Sequence, residues 1–202
     1  MSGKRPLEGP PPATPERKTP MLSKTMEDTL NEQINREMYS AYLYMSMSAY
    51  AAHEGLKGFA NWFMVQYHEE MLHAMKLYEY VNRRGGSVTL KSIPQPPATF
   101  VSPLDMFQKT LEHEQYITKS INEWMDLAIT EKDHATQIFL QWYVTEQVEE
   151  ENNDQEILAQ LKIIGADAQG LMLLDKDLST RATTVPTEFS KGTEVAVKGA
   201  AA

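Results

Sequence analysis

The sequence predicts an all-α fold: an antiparallel four-helix bundle with a long crossover between the second and third helices and a short fifth helix near the C-terminal end. Three observations carry this. Four segments of roughly 27 to 31 residues, each about 40 to 46 Å long as a helix, place apolar residues three and four apart without a proline past the first turn. Turn signals bound them: "HEGLKG" after the first, Gly85-Gly86 after the second, Gly165 after the fourth. The links after the first and third helices are short, which makes each pair antiparallel. The middle link "SVTLKSIPQPPATFVS" carries three prolines and lets the second and third helices run the same way.

The first helix runs from Ser23 to about Ala52, with Leu30, Ile34, Ala41, Tyr44 and Met45 recurring on one side. The second runs from about Gly58 to Arg84. The third starts with Pro103 in its first turn, continues to about Glu131, and turns Leu104, Phe107, Leu111, Ile121 and Met125 inward. The fourth spans about His134 to Ile164. A short fifth is expected over Leu171 to Leu178, within "GLMLLDKDLST". Six of the eleven prolines lie in residues 1–20, a composition that favours a disordered arm. The division is therefore a Pro-rich arm (1–20), one helical domain (21–182) and a flexible tail (183–202).

A chain of 202 residues with 42% hydrophobic content supports one substantial core. It has no cysteine, which excludes disulfides, thiolate zinc sites and cysteine-ligated iron–sulfur clusters and fits a reducing cytoplasm. Any metal has to be held by oxygen and imidazole. No stretch reaches the length of about 18 apolar residues that a membrane span needs, and the first twenty residues lack the apolar run of a signal peptide. The net charge of −9 leaves little reason to expect nucleic acid as a partner and favours cations.

The inward stripes are interrupted. In the second helix, Phe59, Phe63, Gln66, Glu70, His73, Leu77 and Tyr80 share a face, so a carboxylate and an imidazole stand where leucine is expected. The first helix reads Leu30, Ile34, Glu37, Ala41, Tyr44 and the third Phe107, Leu111, Glu114, Thr118, Ile121. The fourth reads Leu140, Tyr143, Gln147, Glu150, Asp154, Ile157, Leu161. Burying one unpaired carboxylate is costly. In helices of equal length the midpoints share a level, so Glu37, Glu70, His73, Glu114 and Glu150 converge, and no stripe supplies a basic residue to pair them. Bound cations then make the cluster tolerable, and carboxylates with one imidazole suit iron or manganese, two of which can handle oxygen chemistry.

Glu69, Glu146 and Glu149 lie one position off these stripes, as solvated acids or as a further cation site. Tyr44 reads as core packing by position, as do Trp62, Trp124 and Trp142. His53, His113 and His134 have no matched partners in the pattern and read as ordinary polar residues.

At these residues the chain resembles the ferritins, most closely the bacterial non-haem type. The segments are "LNEQINREMYSAYLYMSMSAY", "EEMLHAMKLYEYVNRRGG", "HEQYITKSINEW", "QWYVTEQVEEEN" and "DKDLST". The resemblance implies iron storage with a ferroxidase centre: Glu37, Glu70 and His73 at a first iron, and Glu70, Glu114 and Glu150 at a second with Gln147 beside it. It implies a third iron at Glu69, Glu146, Glu149 and Glu150, and Tyr44 as a source of an electron. The implied oxidant is O2 or H2O2, and the implied assembly a hollow shell of about 24 identical subunits. It also puts the N-terminal arm outside the shell and the C-terminal tail inside it or threaded along a four-fold axis.

Two rivals remain at this level: a non-catalytic cage subunit that only nucleates mineral, and a haem-binding bacterioferritin. Bacterioferritins repeat Glu-x-x-His on the fourth helix, where this chain reads Gln147-Val148-Glu149-Glu150, so no haem is expected. Met71 does stand where bacterioferritins place their haem-ligating methionine. Rubrerythrin-like peroxidases need cysteines that this chain lacks.

Overall fold

The computed structural model describes residues 21–182, so the expectations for the arm and the tail lie outside the described residues. Five helices form in the expected order: α1 (Lys24–His53), α2 (Lys57–Arg83), α3 (Pro103–Thr130), α4 (His134–Ile164) and α5 (Ala168–Leu178). Only α5 departs noticeably, starting three residues before the expected Leu171. Asp167 explains the earlier start, because its carboxylate accepts from the amides of Gln169 and Gly170 and caps a turn that apolar spacing does not mark.

Side-chain caps start the other helices as well. Ser23 accepts from the Met26 amide at α1, Ser102 from Asp105 at α3 ahead of Pro103, and Asp133 from Thr136 at α4. The α2 helix has no such residue, since Leu56 offers no side-chain acceptor. Its cap comes from far along the chain: Asp175 Oδ1 of α5 accepts from the amides of Gly58 (2.8 Å) and Phe59 (3.1 Å).

Polar ties at one end of the bundle fix the direction of each helix. Ser23 donates to Glu131 at 2.7 Å, the Met21 amide donates to the Arg84 carbonyl, and Arg84 pairs with Asp133 at 3.1 Å. The starts of α1 and α4 therefore meet the ends of α2 and α3, so α2 and α3 run parallel, as a long crossover requires. Gly165 ends α4 with φ +56, a conformation that other residues adopt with strain.

The α5 helix packs against α2 so closely that a Cβ on Gly58 would lie 1.5 Å from the carbonyl oxygen of Asp175. We expect Gly58→Ala to prise α5 off and cost about 1–3 kcal/mol. Limited trypsin digestion at Lys176 and a thermal melt check this; unchanged protection and an unchanged melt contradict it.

The core is divided along the bundle axis. One apolar cluster joins Tyr44, Met47, Phe59, Trp62, Phe63, Phe107, Leu158, Leu174 and Leu178. The other joins Met26, Leu30, Ile34, Leu77, Val81, Ile117, Ile121, Trp124, Leu140 and Tyr143. The acids of the stripes lie between them along every helix. Four expected core residues, Met45, Leu104, Leu111 and Met125, are only half-buried, and Met47, Met106 and Thr110 take inward places instead. The 3.6-residue period drifts from a strict three-four count, which moves the stripe sideways over several turns. Trp62 and Trp124 are core, whereas Trp142 is half-buried with the Lys76 ammonium 3.7 Å from its ring centroid.

Candidate metal centre

Each helix delivers its polar residues to the gap between the two apolar clusters because the residues on either side are locked into them. Glu37 sits between Ile34 and Ala41, Glu70 and His73 between Phe63 and Leu77, Glu114 between Phe107 and Ile117, and Glu150 between Tyr143 and Ile157. Glu37, Glu70, His73, Glu114, Gln147 and Glu150 are all buried, none more than 5% exposed.

The ligand atoms of Glu37, Glu70 and His73 lie within 4.8 Å of one another. His73 Nδ1 is 3.3 Å from Glu70 Oε2, and the His73 carbonyl accepts from Tyr143 at 2.8 Å. A second trio of His73, Glu146 and Glu150 meets the same limit. Glu114 accepts from the Tyr44 hydroxyl on one oxygen and from Gln147 on the other at 3.0 Å. Glu37 Oε1 accepts from Gln33 at 2.7 Å, and Glu150 Oε2 from Gln66 at 2.9 Å. Gln33 and Gln66 each occupy one oxygen of their carboxylate and leave the other to point elsewhere, whereas both oxygens of Glu114 accept a hydrogen bond.

Within the trio of Glu37, Glu70 and His73, each residue has one buried atom without a hydrogen-bond partner: Glu37 Oε2, Glu70 Oε1 and His73 Nε2. Unpaired buried acceptors are costly in a folded protein. Together they form a donor set of hard oxygen and imidazole that fits a divalent first-row metal, iron included. Metal would replace the missing partners, with the amides acting behind the ligands to aim them.

The electrostatics point the same way. Burial, then the neighbouring Glu70 carboxylate, pushes Glu37 well above its ordinary range. Glu70 is raised well above by burial, then by Glu114 and Glu150. Burial raises Glu114 and lifts Glu150 to about 7. Desolvation followed by repulsion among acids is the signature of a site that holds cations when it is ionised. Tyr44 is raised well above its usual value by burial and then by Glu114, so its phenol stays protonated and donates to Glu114.

The acids off the stripes separate. Glu146 is half-buried and joins His73 and Glu150, while Glu149 is exposed. Glu69 is buried and paired with Arg181 at 2.7 Å. No stripe supplies a basic residue, but a cation reaches Glu69 from beyond α5. Arg181 also donates to Gln66 and lies over the Trp62 ring, 4.5 Å from its centroid. No local pattern marks it, since its partner is 112 residues away in sequence. Gln33 was findable, being four residues before Glu37 on one helix face. Asp154, on the expected stripe, is 1% exposed, has neither oxygen hydrogen-bonded, and is pushed up to about 9, first by burial and then by Glu114 and Glu150.

Among the histidines left outside the centre, His53 and His134 are exposed, while His113 meets Ser40 at 2.7 Å and burial lowers it to about 4. Met71 is half-buried. No helix among the described residues is long and apolar enough to cross a membrane.

Comparison with known proteins agrees with this geometry. Residues 27–164 match the ferritin-like domain family. The chain is 47% identical to the bacterial non-heme ferritin of Campylobacter jejuni over 77% of this chain and 93% of that protein. It is 40% identical to the bacterial non-heme ferritin of Staphylococcus aureus, over 80% and 97%. Among solved structures, an open-pore ferritin from the archaeon Archaeoglobus fulgidus superimposes with a TM-score of 0.79 at 50% identity, covering 80% of this chain and 99% of that one. An engineered closed form of that ferritin gives 0.80 at 51%, covering 81% and 99%. A bundle cut in half by buried acids, whose length and sequence both match such proteins, leaves one assignment: this chain belongs to the ferritin family of iron-storage proteins.

Proposed function

We propose that the buried centre is a ferroxidase site at which two ferrous ions are oxidised before storage. Glu37, Glu70 and His73 hold the first ion, and Glu70, Glu114 and Glu150 the second, with Gln147 positioning Glu114. Glu70 bridges the two. The observation that carries this is the trio of buried, unpartnered ligand atoms on Glu37, Glu70 and His73. Each ferrous ion gives one electron to dioxygen, which takes up two protons and leaves as hydrogen peroxide; peroxide can in turn serve as the oxidant. Carboxylate oxygen favours the ferric product because hard anionic ligands stabilise the higher charge.

Diffraction at the iron edge from crystals loaded with ferrous iron without oxygen tests this. Two peaks are expected, one against His73 and one against Glu114 and Glu150. Iron found only at exposed acids contradicts the reading and favours a subunit that merely nucleates mineral.

The same reading assigns Tyr44 a one-electron role, supported by its hydroxyl resting on Glu114. Tyr44→Phe is expected to keep the first two-iron oxidation and to lose a tyrosyl radical signal in freeze-quenched samples. The lost hydrogen bond costs about 1 kcal/mol. A radical of undiminished amplitude in the variant counts against Tyr44.

We further infer a homo-oligomeric shell of about 24 chains in the cytoplasm. Its support is the apolar surface that one chain leaves uncovered at and beside α5, where Ile163, Met172 and Leu173 are each at least 70% exposed.

A further inference from the structure

Tyr44 touches more than Glu114. Its ring meets the His113 imidazole edge-on, 6.1 Å between centroids, and the same imidazole meets Tyr39 at 5.8 Å and Tyr116 at 6.2 Å. The series runs outward: Tyr44 is 0% exposed, His113 and Tyr39 are half-buried, and Tyr116 is 49% exposed. The helix period sets this order, since His113 and Tyr116 are three apart on α3 and share a face one position round from the inward Glu114. Ser40 holds the imidazole in place. Its hydroxyl donates to the Arg36 carbonyl at 3.1 Å and so accepts from His113 Nε2 at 2.7 Å.

The outer end of the series opens on a cavity of about 280 Å³ whose lining includes Arg36, Tyr39, His113 and Tyr116. The Arg36 guanidinium lies over the Tyr116 ring, 5.2 Å from its centroid, donates to Ser120 at 2.6 Å, and has no partner for Nε among the described residues. Glu32 lines the same cavity, but it pairs closely with Lys91 and stands 3.9 Å from Arg36. The cavity therefore offers an incompletely paired cation beside two phenols, a setting that suits a small anion.

We propose that His113 passes an oxidising equivalent outward from Tyr44 to Tyr39 and Tyr116, and that the cavity takes a small anionic reductant of the enediol class, which quenches it there. The proposal rests on the one-electron role of Tyr44. Hydrogen peroxide takes one electron from a ferrous ion and one from Tyr44; with the phenolic proton, passed through Glu114, and one proton from solvent it becomes two waters. An electron then moves inward from Tyr116 across the His113 ring. Tyr44 regains its electron with a proton delivered through Glu114, and the Tyr116 phenol gives its proton to water. The enediol monoanion, seated beside Arg36, transfers a hydrogen atom to the Tyr116 oxygen, which restores the phenol and leaves the reductant as a radical anion. A radical on Tyr44, closed off from solvent, thus ends where a dissolved molecule can reach it.

The test uses assembled protein loaded with ferrous iron without oxygen, mixed with hydrogen peroxide and then with ascorbate as the enediol probe. Freeze-quench electron paramagnetic resonance reads the tyrosyl signal. In the parent, ascorbate is expected to shorten the life of the signal, with a rate that levels off as ascorbate fills the cavity. Tyr39→Phe combined with Tyr116→Phe keeps both rings and their packing; the signal should still form on Tyr44, and its ascorbate-dependent decay should be lost. Arg36→Gln should raise the ascorbate concentration for half-maximal decay about two- to fivefold, the range of a partly exposed ion pair. Undiminished decay in the double variant, with the Tyr44 signal present, overturns the relay, and an unchanged half-maximal concentration in Arg36→Gln overturns the anion site. A parent without a tyrosyl signal, or a signal that persists in Tyr44→Phe, defeats the Tyr44 reading and the relay with it.

Discussion

Glu70→Ala is expected to abolish fast ferrous oxidation while leaving a protein that still folds and assembles. Glu70 stands between the two proposed ligand sets: it contacts His73, its charge is felt by Glu37, and it feels those of Glu114 and Glu150. Without it no ligand joins the two ions, and electrons reach dioxygen only one at a time. Folding does not depend on it, because the two apolar clusters on either side are untouched. The metal-free bundle should gain stability instead. Glu70 is 2% exposed with Oε1 unpartnered, and its ionised form repels Glu114 and Glu150. Removing a buried carboxylate whose ionised form repels its neighbours is often stabilising, here by about 1–3 kcal/mol where Glu70 would be ionised. Stopped-flow absorbance and calorimetry on metal-free protein decide it; oxidation at the parent rate removes Glu70 from the ligand set.

The second large effect is on stability against pH. In the unfolded chain these glutamates ionise near 4.5, whereas in the native protein Glu150 keeps its proton to about 7 and burial holds Glu37 and Glu70 well above their ordinary range. The native state therefore binds more protons than the unfolded state once pH exceeds about 4.5. A raised carboxyl contributes its stability fully below the unfolded value and loses it as pH rises through the folded one. Each such group costs about 1.4 kcal/mol per pH unit across that window. Metal-free protein should melt progressively lower from pH 5 to pH 8, by at least about 5 °C. Zinc without oxygen should reverse the trend, because metal binding is favoured by the ionised ligands. Scanning calorimetry with and without zinc reads both arms. A metal-free melting temperature that is level or rises over this range contradicts the electrostatics of the centre.

The helices and the core acids were legible because they obey local rules. Apolar spacing, glycine stops and Pro103 place the four long helices within a residue or two, and the interruption of each stripe by Glu37, Glu70, Glu114 and Glu150 marks the centre. What escaped depends on contacts between distant segments. Asp175 capping α2 and Arg181 pairing with Glu69 join residues more than 110 apart, and neither carries a local signature. The same holds for Tyr44, which reads as packing by position. It is packed against Phe63, yet its hydroxyl also rests on Glu114, 70 residues away. Side-chain amides are legible only in part: Gln147 and Gln66 both stand on inward stripes, but the pattern does not show that Gln66 links Glu150 to Arg181.

The central claim is that two ferrous ions are oxidised together inside each bundle. Metal-free protein is loaded with increasing ferrous iron in the absence of oxygen and mixed with air in a stopped-flow instrument. The fast ferric absorbance should grow in proportion to iron and stop growing at two irons per chain, with later iron oxidised more slowly. Fast absorbance that saturates at one iron per chain, or that grows without a break beyond two, contradicts a paired site at Glu37, Glu70, His73, Glu114 and Glu150.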